Sequence, residues 1–182
     1  IDTSAQSLIV IVNEFLDVSR IEQGRMKYEF TDFDANKLVQ EVVSELRPNV
    51  ESKGLAFTYT AEEGKSYASN ADVGKIKQVI GNVIDNAIKY TPQGSITVHV
   101  DRKEDRINIT VSDTGVGIDP EEATKLFSMF SRAKDASKAN VSGTGLGLYV
   151  AKQMLEAQKG RIWVESEGKG KGSVFHIELQ AK

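Results

Sequence analysis

The chain has 182 residues, a formal net charge of −3 and no cysteine, and 40% of its residues are hydrophobic. This length and composition fit one globular domain with a small addition, and the negative charge argues against a nucleic-acid partner. The lack of cysteine excludes disulfides and cysteine-ligated metal sites, and no apolar run approaches the ~20 residues needed to span a bilayer.

The N-terminal segment is predicted to form one long helix over residues 4–24. Leu8, Val12, Phe15 and Ser19 recur at spacings of four and three, the pattern of a coiled coil or helix bundle. Further apolar residues widen this surface beyond one stripe, so the helix needs packing partners in the same chain or in another. We therefore predict a bundle-type helix over residues 1–25 and a separate domain over residues 26–182.

The first part of that domain is predicted to be strand, helix and strand. Residues 26–33 alternate between apolar and polar types, and a second strand is expected over residues 55–60. Asp34 is a suitable N-cap for the intervening helix. Pro48 is expected to kink that helix or end it early.

The rest of the chain is predicted to hold two longer helices and two pairs of strands. Asp72 caps a helix that runs to about Tyr90, and a second helix is expected over residues 143–158. The predicted strands cover residues 95–102, 106–112, 160–166 and 173–180, with a helix start at 119–122 and a mobile loop over 131–142. Runs of strands with helices between them predict an α+β fold, with helices on one face of a mixed sheet.

Asn82, Asn86 and Lys89 form a polar stripe along the helix that ends near Tyr90. Their spacing places the three side chains within ~60° of one another around the helix axis. Amide oxygens suit a hard cation such as Mg²⁺, and a lysine can balance phosphate charge. Taken one at a time, each of these side chains is better explained as part of a solvated helix edge.

Two glycine-containing segments are candidates for holding a nucleotide. Asp113 follows a strand directly, and its carboxylate can accept a hydrogen bond from the amino group of adenine, where guanine carries a carbonyl. The glycines after it let a ligand approach the backbone, although an ordinary Asp/Gly turn is the alternative. Residues 143–148 open a helix whose free N–H groups favour phosphate. The basic loop before them is either a lid or a plain surface loop.

The two histidines are not expected to be catalytic. His99 and His176 alternate with apolar residues in predicted strands, which places both on the solvent side of the sheet.

Taken together and in chain order, the helix stripe and the glycine-containing segments resemble the catalytic region of two-component sensor histidine kinases. The resemblance covers nearly the whole chain and implies the Bergerat fold, a two-layer α/β sandwich preceded here by one bundle helix. Gyrase, heat-shock chaperone and mismatch-repair ATPases share that fold. The matching segments are the asparagine box (82–91), three glycine boxes (113–118, 143–148 and 170–173), the phenylalanine box (127–132) and the end of the second dimerisation helix (16–22).

The resemblance also implies a role for each site residue. Asn86 would ligate Mg²⁺, with Asn82 supporting the metal and the phosphates of ATP. Lys89 and Arg132 would contact phosphates, so that Asn82, Lys89 and Arg132 form the catalytic set. Asp113 would read adenine. The remaining nucleotide contacts implied are Tyr90, Gly115, Gly117, Ile118, Gly143, Thr144, Gly145, Leu146, Gly147, Leu148 and Ser173.

The type of residue at position 82 bears on the reaction. The related ATPases place a glutamate there, and an amide cannot act as a general base at neutral pH. The site is therefore expected to hydrolyse ATP poorly and to present the γ-phosphoryl group to an acceptor. In the family this acceptor is a histidine on the first dimerisation helix, which would precede Ile1.

The resemblance implies partners as well. It implies a homodimer through the N-terminal helix and a response regulator receiver domain that takes the phosphoryl group. We expect a cytoplasmic location, with any membrane attachment through segments upstream of this chain. Two alternatives stay open from the sequence: a protein-serine kinase of the same fold, and a degenerate module without enzymatic activity.

Overall fold

A five-stranded mixed sheet with helices on one face forms the larger part of the structure, a computed structural model that describes residues 3–131 and 144–182. The elements in chain order are α1 (Thr3–Glu22), β1 (Thr31–Asp34), α2 (Ala35–Ser52), β2 (Ala56–Ala61), β3 (Ala68–Ala71), α3 (Val73–Tyr90), β4 (Ser95–Lys103), β5 (Arg106–Asp113), α4 (Pro120–Ala123), α5 (Gly147–Glu156), β6 (Arg161–Glu165) and β7 (Ser173–Gln180).

The strand order of the large sheet is β2-β4-β5-β7-β6, and only β2 and β4 pair in parallel. Alternate residues of the central strands are buried, as the period of two requires. Ile96, Val98 and Val100 of β4 are fully buried, and so are Ile107 and Ile109 of β5. These side chains pack against α2, α3 and α5, which confirms the predicted mixed sheet with helices on one face.

Aspartate caps begin α2 and α3 as the sequence predicts. Asp34 accepts a hydrogen bond from the Lys37 N–H group, and Asp72 accepts one from the Lys75 N–H group, each at 3.0 Å. Of the two effects expected of Pro48, an early end of the helix is contradicted, since α2 continues to Ser52. Val50, two residues beyond the proline, is fully buried, and this packing holds the last turn in place.

Two predicted boundaries are also wrong. The strand expected over residues 26–33 begins only at Thr31, because Glu29 instead donates its N–H group to the Asp72 carboxylate at 2.9 Å. This strand, β1, pairs with β3, a short strand that the sequence does not indicate. The helix expected from residue 143 begins at Gly147, because Gly145 has a φ of +74°, which right-handed helices do not accommodate.

The two histidines lie half-buried on the sheet face that carries no helices, as expected. His99 hydrogen-bonds to Thr60. The ring of His176 stacks on Trp163 with centroids 4.8 Å apart. Burial lowers the pKa of His176, and the nearby Glu165 carboxylate opposes this shift.

The long helix α1 packs against α3 and α5 along one side. Val18 and Asp17 are buried there, and Asp17 accepts a hydrogen bond from Gln78 of α3 at 2.9 Å. Near its end, Glu22 accepts a hydrogen bond from the Tyr149 hydroxyl of α5. The N-terminal half of α1 is largely exposed, and its exposed apolar residues are Leu8, Ile9, Val10, Ile11, Val12, Phe15 and Leu16. In the part of the chain that the structure describes, no helix is long and apolar enough to cross a membrane.

Candidate functional site

A cavity of about 260 Å³ lies between α3, the loop that follows β5 and the start of α5. Most of the predicted site residues line it, so segments far apart in sequence meet at one place. These lining residues are Asn82, Asn86, Lys89, Tyr90, Asp113, Gly117, Ile118, Thr144, Gly145, Gly147, Leu148 and Ser173. Arg132 and Gly143, which were also predicted, lie outside the described residues. Neither histidine lines the cavity.

The polar stripe of α3 faces this cavity because the apolar side of the helix is anchored in the core. Val79, Ile80 and Val83 are fully buried. The Asn82 amide donates a hydrogen bond to the Gly147 carbonyl at 3.3 Å, which ties α3 to the first residue of α5. Lys89 forms an ion pair with Asp85 one turn earlier, with 2.6 Å between the ammonium and the carboxylate.

Asp113 is buried at the end of β5, and its carboxylate is held by two hydrogen bonds. One oxygen accepts from the Gly115 N–H group at 2.8 Å, and the other accepts from the Ser173 hydroxyl. Each carboxylate oxygen has a second lone pair, so the group can still accept a hydrogen bond from a ligand. The strand end therefore presents a fixed acceptor to the cavity.

Gly115 supports the site without lining the cavity. A Cβ atom at this position would lie 2.3 Å from the Tyr90 carbonyl oxygen, so only glycine lets the loop pack on the end of α3. The neighbouring Val116 N–H group donates to the same carbonyl at 3.0 Å. The structure thus shows a packing role for Gly115, and its contact with a nucleotide stays a prediction.

The third glycine segment braces the first. The Gly170 N–H group donates to the Val116 carbonyl at 2.7 Å. Gly117 has a φ of +70°, and a Cβ atom on it would lie 2.0 Å from the Gly168 carbonyl oxygen. The two loops can approach this closely only because glycine stands at the contact.

Ser166 joins the same two loops, and sequence reasoning missed it. Its hydroxyl accepts from the Ile118 N–H group at 3.0 Å and donates to the Gly172 carbonyl at 2.6 Å. A single serine after a strand carries no pattern that points to such a role.

The start of α5 lies next to the cavity, and the first N–H groups of a helix have no partner within the helix. Leu146 occupies the N-cap position and makes no side-chain hydrogen bond to the helix. Its own side chain is buried in the core and does not line the cavity, and its contact with a nucleotide stays a prediction. The Thr144 hydroxyl accepts from the Leu146 N–H group at 3.2 Å. N–H groups at a helix start favour an anion.

Two residues of α1 also line the cavity, and the sequence did not indicate either. Val10 and Glu14 lie one helical turn apart. The Glu14 carboxylate accepts a hydrogen bond from the Thr144 hydroxyl. Glu14 was hidden among the apolar residues of α1, whose spacing indicates packing rather than a binding site.

The described lining of the cavity carries more acids than bases. This excess of negative charge opposes a polyphosphate unless a cation accompanies it. The charged lining residues are Glu14, Asp85, Asp113, Asp119 and Glu122 against Lys89 and Lys169.

Comparison with known proteins assigns the domain. Residues 71–182 match the family described as histidine kinase-, DNA gyrase B-, and HSP90-like ATPase. The sensor protein GacS of Pseudomonas syringae pv. syringae is 34% identical over 185 residues, which covers 99% of this chain and 20% of that protein. The chain thus spans about a fifth of the length of this relative.

Solved structures agree with this match. The crystal structure of full-length ShkA in complex with AMPPNP superposes with a TM-score of 0.85 at 25% identity, over 97% of this chain and 36% of that chain. Histidine kinase ThkA in complex with the response regulator protein TrrA gives a TM-score of 0.72 at 26% identity, over 100% of this chain and 52% of that chain.

These likenesses confirm the expected Bergerat-type sandwich. The chain therefore belongs to the histidine kinase-, DNA gyrase B-, and HSP90-like ATPase family, and it carries the ATP-binding catalytic domain in the form found in sensor histidine kinases.

Proposed function

We propose that this domain binds ATP with Mg²⁺ and transfers the γ-phosphoryl group to a histidine that this chain does not contain. The observation that carries the proposal is the single cavity shared by the α3 stripe, the Asp113 carboxylate and the start of α5. It offers an adenine acceptor at one side and N–H donors for phosphate at the other.

The residues at the cavity fit a nucleotide-bound metal ion better than a metal ion held by protein alone. Among residues 3–131 and 144–182, no cluster of three or more histidine, cysteine, aspartate or glutamate side chains could hold a metal ion. Mg²⁺ usually keeps water and phosphate oxygens and takes few protein ligands. The Asn86 amide oxygen can supply one ligand, and the acidic lining favours the cation over the bare polyphosphate.

Each residue of the cavity has a distinct proposed task. Asp113 accepts the adenine amino hydrogen bond, Asn86 holds the metal, and Asn82 keeps α3 and α5 at the spacing that phosphates require. Lys89 has to exchange its ion pair with Asp85 for a phosphate oxygen. The bound metal, when present, neutralises phosphate charge, which is the main requirement of phosphoryl transfer.

The transfer needs an acceptor from outside the described site. In that step the bond from the γ-phosphorus to the bridging oxygen breaks, ADP leaves with the electron pair, and an imidazole nitrogen bonds to phosphorus. The imidazole proton passes to solvent or to a neighbouring base. His99 and His176 are both away from the cavity, so neither is the proposed acceptor. We propose that residues 1–25 end the dimerisation helix of a homodimer that presents this histidine and passes its phosphoryl group to a response regulator.

The test supplies the missing acceptor. The chain is mixed with Mg²⁺, radiolabelled ATP and a dimerisation-helix protein that carries the histidine, and the phosphorylated product is treated with acid and with base. We expect label that acid removes and base retains, the behaviour of a phosphohistidine. Label that survives acid would instead indicate a phosphoserine and contradict the proposal.

A further inference from the structure

The α1 helix places a carboxylate where the phosphate chain of a nucleotide is expected. Glu14 is half-buried, and one of its oxygens accepts a hydrogen bond from the Thr144 hydroxyl. A Cβ atom on Gly147 would lie 3.3 Å from the other oxygen, so the carboxylate also lies beside the first residue of α5. A helix start attracts a carboxylate for the same reason that it attracts a phosphate.

The position of Glu14 is fixed by several contacts along one face of α1. Asp17 accepts from Gln78, Glu22 accepts from Tyr149, and Val18 is buried between them. The hydrogen bond with Glu22 raises the pKa of Tyr149 to about 12, which keeps the hydroxyl available as a donor. These contacts hold Glu14 against Thr144.

The charge of Glu14 opposes an incoming phosphate group. The described lining of the cavity holds Glu14 among five acids, with two lysines, Lys89 and Lys169. Lys89 pairs with Asp85. A phosphate group that reaches the start of α5 meets the Glu14 carboxylate and has to displace it from the Thr144 hydroxyl.

We propose that Glu14 acts as an internal substitute for nucleotide phosphate, so that α1 in this position selectively weakens the binding of polyphosphate nucleotides. This rests on the proposed function, because it assumes that the cavity accepts ATP. The effect grows with the number of phosphates, since each adds negative charge, whereas adenosine carries none. Glu14 is thus a residue that sets nucleotide specificity.

The test compares ATP, ADP and adenosine on the whole chain by calorimetry at low ionic strength, where charge is least screened. Glu14→Gln removes the charge, and Glu14→Ala removes both charge and hydrogen bond. We expect each variant to raise the ratio of ATP affinity to adenosine affinity by about tenfold, with a smaller rise for ADP. Glu41→Gln is the matched control, since it removes one negative charge from an exposed position of α2 outside the cavity. Its ratio is expected to stay within about twofold of wild type.

Three outcomes would overturn the proposal. One is an unchanged ratio in both Glu14 variants while the wild-type chain binds ATP, which leaves the proposed function intact. Another is a weaker affinity for ATP in the variants, which would show that Glu14 assists binding, for example through the metal. The third is an absence of adenine nucleotide binding in wild type and variants alike, which would remove the proposed function as well.

Discussion

Replacing Asp113 by asparagine tests the adenine contact with little disturbance of the fold. The wild-type carboxylate accepts hydrogen bonds from the Gly115 N–H group and the Ser173 hydroxyl. The amide oxygen of asparagine can keep the first bond. The amide nitrogen can donate to the Ser173 oxygen, because a hydroxyl also accepts. The folded state is therefore expected to survive Asp113→Asn.

The nucleotide preference should change strongly in this variant. A hydrogen bond to a charged acceptor contributes about 1.5–3 kcal/mol, and its loss lowers ATP affinity by about tenfold to a hundredfold. The amide nitrogen can meanwhile donate to the guanine carbonyl that a carboxylate repels. Both effects lower the ratio of ATP affinity to GTP affinity.

The assay is a calorimetric titration of ATP and GTP with the variant and two controls. Asp105→Asn removes the same charge from the exposed β4–β5 turn, and its ratio should match wild type. Ser173→Ala frees one carboxylate oxygen without removing the charge, so it should retain adenine preference. A ratio that stays at the wild-type value in a correctly folded Asp113→Asn protein would refute the assignment.

Three further substitutions test the rest of the site. Asn86→Ala should lower ATP affinity about tenfold or more in the presence of Mg²⁺, and should remove most of the dependence of that affinity on Mg²⁺. Asn49→Ala on the exposed side of α2 is the control, and equal ATP affinities for the two variants would contradict the metal role of Asn86. Lys89→Ala should lower the affinity for ATP but not for adenosine. Lys77→Ala, which breaks another ion pair of α3 outside the cavity, should lower neither affinity. A Lys89→Ala protein with wild-type ATP affinity would exclude the phosphate contact. Gly117→Ala places an alanine in a left-handed conformation and makes its Cβ atom overlap with the Gly168 carbonyl. Thermal unfolding should show that the free energy of unfolding falls by about 1–2 kcal/mol from the conformation alone, and further from the overlap. Gly81→Ala in α3 has open space for its Cβ atom and should be neutral or stabilising, so equal melting temperatures for the two variants would contradict the close approach of the loops.

Local sequence signals were sufficient for the elements whose structure depends on neighbouring residues. The caps Asp34 and Asp72 act on N–H groups three residues away, and the strands β4, β5 and β7 follow from apolar residues at every second position. Both patterns are visible in a short window. The start of α5 was misplaced because the left-handed conformation of Gly145 depends on the surrounding loops.

Elements defined by long-range contacts could not be predicted in this way. The four residues of β3, Ala68–Ala71, include no β-branched or aromatic side chain, and they form a strand because they pair with β1. Pro48 stays inside α2 because Val50 beyond it is held in the core. In both cases tertiary packing overrides local preference.

The same difference between local and long-range contacts decides which residues of the candidate site could be predicted. Asn82, Asn86 and Lys89 were found because they share one helix, whose geometry fixes their common face. Glu14 and Ser166 were not found, because their contacts join distant parts of the chain. The Glu14–Thr144 hydrogen bond spans 130 positions, and the Ser166–Ile118 bond spans 48.

Binding of ATP by the folded wild-type chain, with and without Mg²⁺, tests the central claim most directly. Calorimetry should detect binding of one ATP per chain in the presence of Mg²⁺, a much weaker signal without the metal, and a weaker affinity for GTP. A folded protein, verified by its circular dichroism and cooperative melting, that gives no heat with ATP and Mg²⁺ would contradict the proposed use of the cavity.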